Sequence, residues 1–188
     1  MLILAVLLSY AAPAESNAQE PESFTPEWGL GARAGVWAAE EAAPQIGGQV
    51  TLRPARWIQW LAFNDNSGRM ADGIVQMDHV IGFHAVLPLK HWSGGFVGVS
   101  TGSCVDFRTW RESSDLNLLR SDVLFGPRVG LHLEHRLQER WSMQVTATGM
   151  LYIGNTEGTY EWGAGSAGLR ANPVVQGQIG LTRWFAAR

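Results

Sequence analysis

Cysteine is almost absent: Cys104 stands alone among 188 residues. That excludes an intrachain disulfide and any multi-cysteine metal site. Charge is scarce as well, at 16% of residues, where an average globular domain carries about 25%. Neither sign dominates. The formal net charge is -3 and the pI is near 5.9, so no basic surface is offered to nucleic acid. Long apolar runs are missing. The longest, MLILAVLLSYAA from Met1 to Ala12, is too short to cross a bilayer as a helix. A mean hydropathy of -0.04 argues against a polytopic helical membrane protein. Glycine is plentiful instead, with 22 residues. Its poor helix propensity argues against a helical bundle. The length suits one domain.

The apolar N-terminal run is read as an export signal. Ala12-Pro13-Ala14 and Ser16-Asn17-Ala18 both fit the small-x-small pattern that a signal peptidase needs. No basic residue precedes the run, and no cysteine at the cleavage site offers a lipid anchor. The expected division is a signal peptide over 1–18, an acidic, proline-bearing leader over 19–26, and one barrel domain over 27–188.

Beyond the leader, apolar residues recur with period two, the mark of half-buried strands. Trp28, Leu30, Ala32, Ala34 and Val36 alternate with Gly29, Gly31, Arg33 and Gly35. Ile46, Val50 and Leu52 oppose Gln45, Gln49, Thr51 and Arg53. A third strand is expected from about Trp57 to Phe63. A fourth, Ile74 to Leu87, sets Met77, His79, Ile81 and Phe83 against Gln76, Asp78, Gly82 and His84. The fifth runs from Trp92 to about Phe107. The sixth, Val123 to His135, sets Phe125, Val129, Leu131 and Leu133 against Arg128, Gly130, His132 and Glu134. The seventh, Trp141 to Ile153, opposes Met143, Val145 and Leu151 to Gln144, Thr146 and Thr148. The eighth, Val174 to Phe185, opposes Val175, Ile179 and Leu181 to Gln176, Gln178 and Gly180. The pattern predicts an all-β, eight-stranded antiparallel up-and-down transmembrane β-barrel.

The connections are expected to alternate in length. Short stretches lie around Pro54–Arg56, Pro88–His91 and Arg136–Glu139. Longer hydrophilic ones span Ala39–Pro44, Asn64–Asp72, Asp106–Asp122 and Asn155–Asn172. Short turns on one rim and long loops on the other are the outer-membrane pattern, with the short turns periplasmic. Trp28, Trp57, Trp92, Trp141 and Trp184, with Phe185, fall at the short-turn rim and are read as an aromatic girdle. Trp37, Phe63, Phe107 and Phe125 fall near the other rim.

With these residues placed, the chain resembles the small outer-membrane barrels of Gram-negative bacteria, the OmpA-like, OmpX-like and opacity-porin group. The resemblance covers nearly the whole mature chain and rests on architecture. It implies residence in the outer membrane with the N-terminus periplasmic, among lipid and lipopolysaccharide. It also implies recognition of the last strand by the barrel-insertion machinery. That group usually ends on the final aromatic. Here Phe185 is followed by Ala186-Ala187-Arg188, and Arg183 occupies an outward position.

A barrel of eight strands is just wide enough inside for side chains to fill it. Arg33, Asp78, Arg128 and Glu134 point inward by this register, with His84, His132, Gln144, Gln176 and Gln178. A paired, plugged interior is expected, because an unpaired buried charge is costly. No metal site and no cofactor are expected. Cys104 is read as a buried or lumenal thiol. His91-Trp92-Ser93 is superficially similar to the His-x-Ser pair of lipid A deacylases, but it lies on the short-turn rim and Gly94 replaces the usual asparagine. Trp110, Tyr160 and Trp162 sit in the long connections, where an extracellular ligand would bind. The favoured reading is a non-enzymatic structural or surface-interaction barrel. A narrow channel or carrier, a lipid A-modifying enzyme and a soluble lipocalin-type barrel are its rivals.

Overall fold

The computed structural model describes residues 24–38, 42–71, 73–112, 114, 118–156 and 168–186. The expected signal peptide, residues 19–23 of the leader, Tyr160 and Trp162 lie outside them. Eight strands follow in order: β1 (Glu27–Ala38), β2 (Ala42–Ala55), β3 (Ile58–Ala71), β4 (Ile74–Trp92), β5 (Gly95–Glu112), β6 (Leu118–Gln138), β7 (Trp141–Thr156) and β8 (Gly168–Ala186). Each pairs antiparallel with the next, and β1 pairs with β8 to close the ring. Closure leaves no free sheet edge, so every strand has a backbone partner on both sides.

Alternation decides which side chain goes where. Leu30, Val36, Ile46, Val50, Ile81, Phe83, Val129, Leu131, Val145, Val175 and Ile179 are all exposed on the outer wall. Gln49, Thr51, Asp65, Asp78, His84, Arg128, Glu134, Gln144 and Gln176 are buried inside it. The polarity is inverted relative to a water-soluble barrel, which would bury the first set and expose the second. An apolar outer wall with a polar axis is what hydrocarbon surroundings select.

The strands run longer than the alternation alone suggests. They span from 12 residues in β1 to 21 in β6, where a crossing needs about 9–11. The expected connection Asn64–Asp72 is mostly strand, because β3 continues to Ala71. Its hydrophilic residues keep period two, with Asp65 and Ser67 turned inward and buried. Likewise β5 continues through the expected loop to Glu112, and β6 begins at Leu118. Connections on that rim are therefore unequal: residues 39–41, 72–73, 113–117 and 157–167. At 72–73 the chain reverses through Gly73, whose φ of 76° suits a residue without Cβ. The opposite rim turns at 56–57, 93–94 and 139–140. There β4 outlasts the expected turn at Pro88–His91, and β6 runs into the expected turn at Arg136–Glu139 as far as Gln138.

Candidate functional site: the lumen and its mouth

Three layers of polar side chains fill the axis. Nearest the unequal rim, Arg108 on β5 reaches Asp78 on β4 at 2.6 Å and Asp106 on its own strand at 2.9 Å. Gln76 donates to Asp78 at 3.0 Å, and Arg69 on β3 donates to Gln76 at 3.0 Å. Ser67 joins Asp78 at 3.2 Å and accepts the indole N–H of Trp37 at 2.9 Å.

In the middle layer Arg33 pairs with Asp65 at 2.9 Å and also donates to Gln178. Gln178 donates to Asp65 at 2.9 Å and to Gln45 at 3.3 Å. Arg128 donates to Gln176 at 2.7 Å and to Thr148 at 3.3 Å. Gln176 donates to Gln45. Both guanidinium groups lie over the Phe63 ring, at 4.3 Å for Arg33 and 4.5 Å for Arg128. A ring face attracts a cation, more so where water is excluded.

Nearest the short-turn rim, Arg53 pairs with Glu134 at 2.8 Å and donates to Gln59 at 3.1 Å. Gln144 donates to Glu134 at 3.1 Å and accepts from Gln49 at 2.6 Å. Arg136 pairs with Glu27. Trp184 lies under Arg53 and Arg136, at 4.5 and 4.9 Å, and donates to Ser142 at 2.7 Å.

The lumen holds the sequence-predicted residues, but with other ionic partners. Arg33, Asp78, His84, Arg128, His132, Glu134, Gln144, Gln176 and Gln178 are all buried inside. The expected pairing of Arg33 and Arg128 with Asp78 and Glu134 is not the one formed. The ionic partners are Asp65, Arg108 and Arg53. Asp65 and Arg108 lie in segments whose composition reads as loop. Arg53 lies on the polar face of its strand, and that face is the available signal. Among the described residues, Arg128 forms no salt bridge. Its Nε and Nη1, both ring nitrogens of His84 and Nε2 of His132 have no hydrogen-bond partner there. Cys104 is buried beside Gly126 O at 3.5 Å, Tyr152 OH at 3.8 Å and Met150 Sδ at 4.0 Å.

The girdle needs one correction. Trp28, Trp92 and Trp141 are exposed on the outer wall and Trp57 in the turn at 56–57, and Trp28 stacks on Phe185 with centroids 4.4 Å apart. Trp184 is only 1% exposed and faces the lumen. Its parity with Gln176, Gln178 and Thr182 puts it there. Trp37 and Phe63 also face inward, whereas Phe107 and Phe125 face out. Arg183 lies outside, over the rings of Phe185 at 5.4 Å and Trp141 at 6.0 Å.

A vestibule of about 920 Å³ opens at the short-turn mouth, lined by Glu27, Arg53, Arg56, His91, Ser93 and Arg136 among others. His91 and Ser93 meet no common acid there, and no hydrogen bond joins them among the described residues. A hydrolytic serine needs an oriented base within reach. Arg53 and Glu134, which pair with each other, also line the vestibule.

Neisserial surface protein A superposes with a TM-score of 0.60 at 7% identity, over 85% of this chain and 97% of that one. The fold is that of the small outer-membrane barrels. The N-terminal β-barrel domain of Pseudomonas aeruginosa OprF gives 0.56 at 12% identity, over 84% of this chain and 97% of that one. A major outer membrane protein from Thermus thermophilus gives 0.58 at 12% identity, over 86% of this chain and all of that one (100%). No family model matches the sequence, and no curated protein matches it. The likeness is one of backbone fold, not of sequence.

Proposed function

We propose that the chain is a non-enzymatic integral outer-membrane barrel whose axis is closed by its own side chains. Its short turns and both termini of the barrel's chain, at Glu27 and Ala186, face the periplasm, and its unequal rim faces outward as the surface for interaction. Lipid and lipopolysaccharide surround the wall, and β8 with Phe185 is the strand presented to the insertion machinery. The observation that carries this reading is the middle layer. Arg33, Asp65 and Gln178 link β1, β3 and β8, while Arg128 and Gln176 link β6 and β8. Parting buried partners would strand charge in a confined space. The vestibule supports closure too, since Arg53 and Glu134, which line it, are paired with each other. Purified protein in planar bilayers is expected to pass no steady ion current. Steady large-step conductance from the unaltered protein would overturn the closed axis and favour a channel.

A further inference from the structure

Most outward positions of the wall are apolar, but β3 presents Trp60, Ala62, Asn64 and Asn66 in succession. Asn66 has a partner, because its Oδ1 lies 2.7 Å from Nδ1 of His79 on β4. The exposed Asn64 amide has none among the described residues. Its cross-strand neighbours are Gly48 on β2 and Ile81 on β4. At ~3.3 Å per residue and a tilt of ~40°, Asn64 stands roughly 18 Å beyond Trp57, within an apolar band about 25 Å tall. No water reaches a polar group at that depth, so its hydrogen bonds must come from protein or lipid. Thr101 and Ser103 on β5 also face out. A hydroxyl has one donor to satisfy, whereas an amide has two donors and an acceptor oxygen.

Asn64 edges an open groove of about 430 Å³ with Leu30, Gly48, Val50 and Ala62. The barrel's own packing does not demand glycine at its floor. A Cβ on Gly48 would approach no atom closer than 3.8 Å. The notch thus shapes the outer surface and leaves the sheet unaffected.

We propose that this groove binds one membrane lipid whose acyl chain carries a hydroxyl or amide below the headgroup. The chain lies over Gly48 and Ala62, its polar group meets the Asn64 amide, and Asn66 with His79 continues the ladder toward the headgroups. Shape selects this occupant over a second copy of the barrel. A two-fold axis running through the groove would set one groove against another and leave both unfilled, whereas a single acyl chain fills one. The inference rests on the membrane placement proposed above.

The test uses the full chain folded into phosphatidylcholine nanodiscs, with lipid A, whose acyl groups are 3-hydroxyacyl amides and esters, added as the probe. Native mass spectrometry counts the lipids retained after release. One lipid A per barrel is expected for the unaltered chain. Retention should fall at least tenfold for both Asn64→Leu and Asn64→Ala, and Leu131→Ala on another face should leave it unchanged. Undiminished retention in the Asn64 variants overturns the site. So does equal retention of plain phosphatidylcholine, or a dimer mass that Asn64→Leu removes. The heat-dependent gel shift of the folded barrel reads insertion separately. Its absence in the unaltered chain defeats the membrane reading itself.

Discussion

Phe63 carries two guanidinium groups on its ring and needs room to do so. That room is Gly82, directly across from it on β4. A Cβ there would stand 2.2 Å from Phe63 Cζ and 2.8 Å from the Cys104 Cβ. The ring cannot swing aside without disturbing Arg33 and Arg128. Gly82→Ala should therefore lower stability by about 1–3 kcal/mol, the usual cost of overpacking, in a urea refolding titration. Gly48→Ala serves as the comparison, and its midpoint should hardly move. Asp65 supplies a second case. It is fully buried and is the carboxylate that neutralises Arg33. Asp65→Asn keeps the shape and removes the charge. A loss of about 3–5 kcal/mol is expected, typical of a buried ion left uncompensated. A loss below about 1 kcal/mol would mean that water or another acid reaches Arg33.

Strands are the scale at which register has consequences. On β7, Val145 faces out and Thr146 faces the lumen. Val145→Arg should cost about 2–4 kcal/mol near the midplane of the apolar band. That cost should shrink when thinner-chain lipids bring the headgroups closer. Thr146→Arg should show no such dependence on lipid thickness, because its side chain does not meet lipid. The same period-two logic makes most of the wall legible in the sequence, since Trp141 to Ile153 reads only one way. It fails where both faces of a strand are polar. Asn64, Asp65, Asn66, Ser67 and Gly68 look like a loop. Here the lumen accepts Asp65 and Ser67 through partners on β1, β4 and β8, and Asn66 finds His79. Arg33 and Gln178 are distant from Asp65 in sequence, and Asp78 and His79 meet Ser67 and Asn66 only through the register of β3 on β4, so local composition does not reveal them. The unforeseen ion pairs share that cause. Trp184 differs, because its parity with Gln176 and Gln178 is visible in the sequence, while its type as a rim aromatic points the other way.

As a whole, the barrel is asymmetric along its axis. One end closes in tight turns at 56–57, 93–94 and 139–140, and the other reaches out in strands longer than a membrane requires. If the tight end is periplasmic, trypsin added to intact cells should cut near Arg111 or Arg120 and spare Arg56 and Arg136. Cutting at the latter pair would invert the orientation. The single sulfhydryl gives the molecule a further property. Cys104 sits inside the wall, 2% exposed, with no second thiol to confuse the count. A maleimide can reach it only while the axis is breached, so the half-time of alkylation is a clock for breathing. In the folded barrel one adduct should accumulate over hours, and in urea within seconds to minutes. Each variant that loosens the interior should shorten the first interval and leave the second untouched.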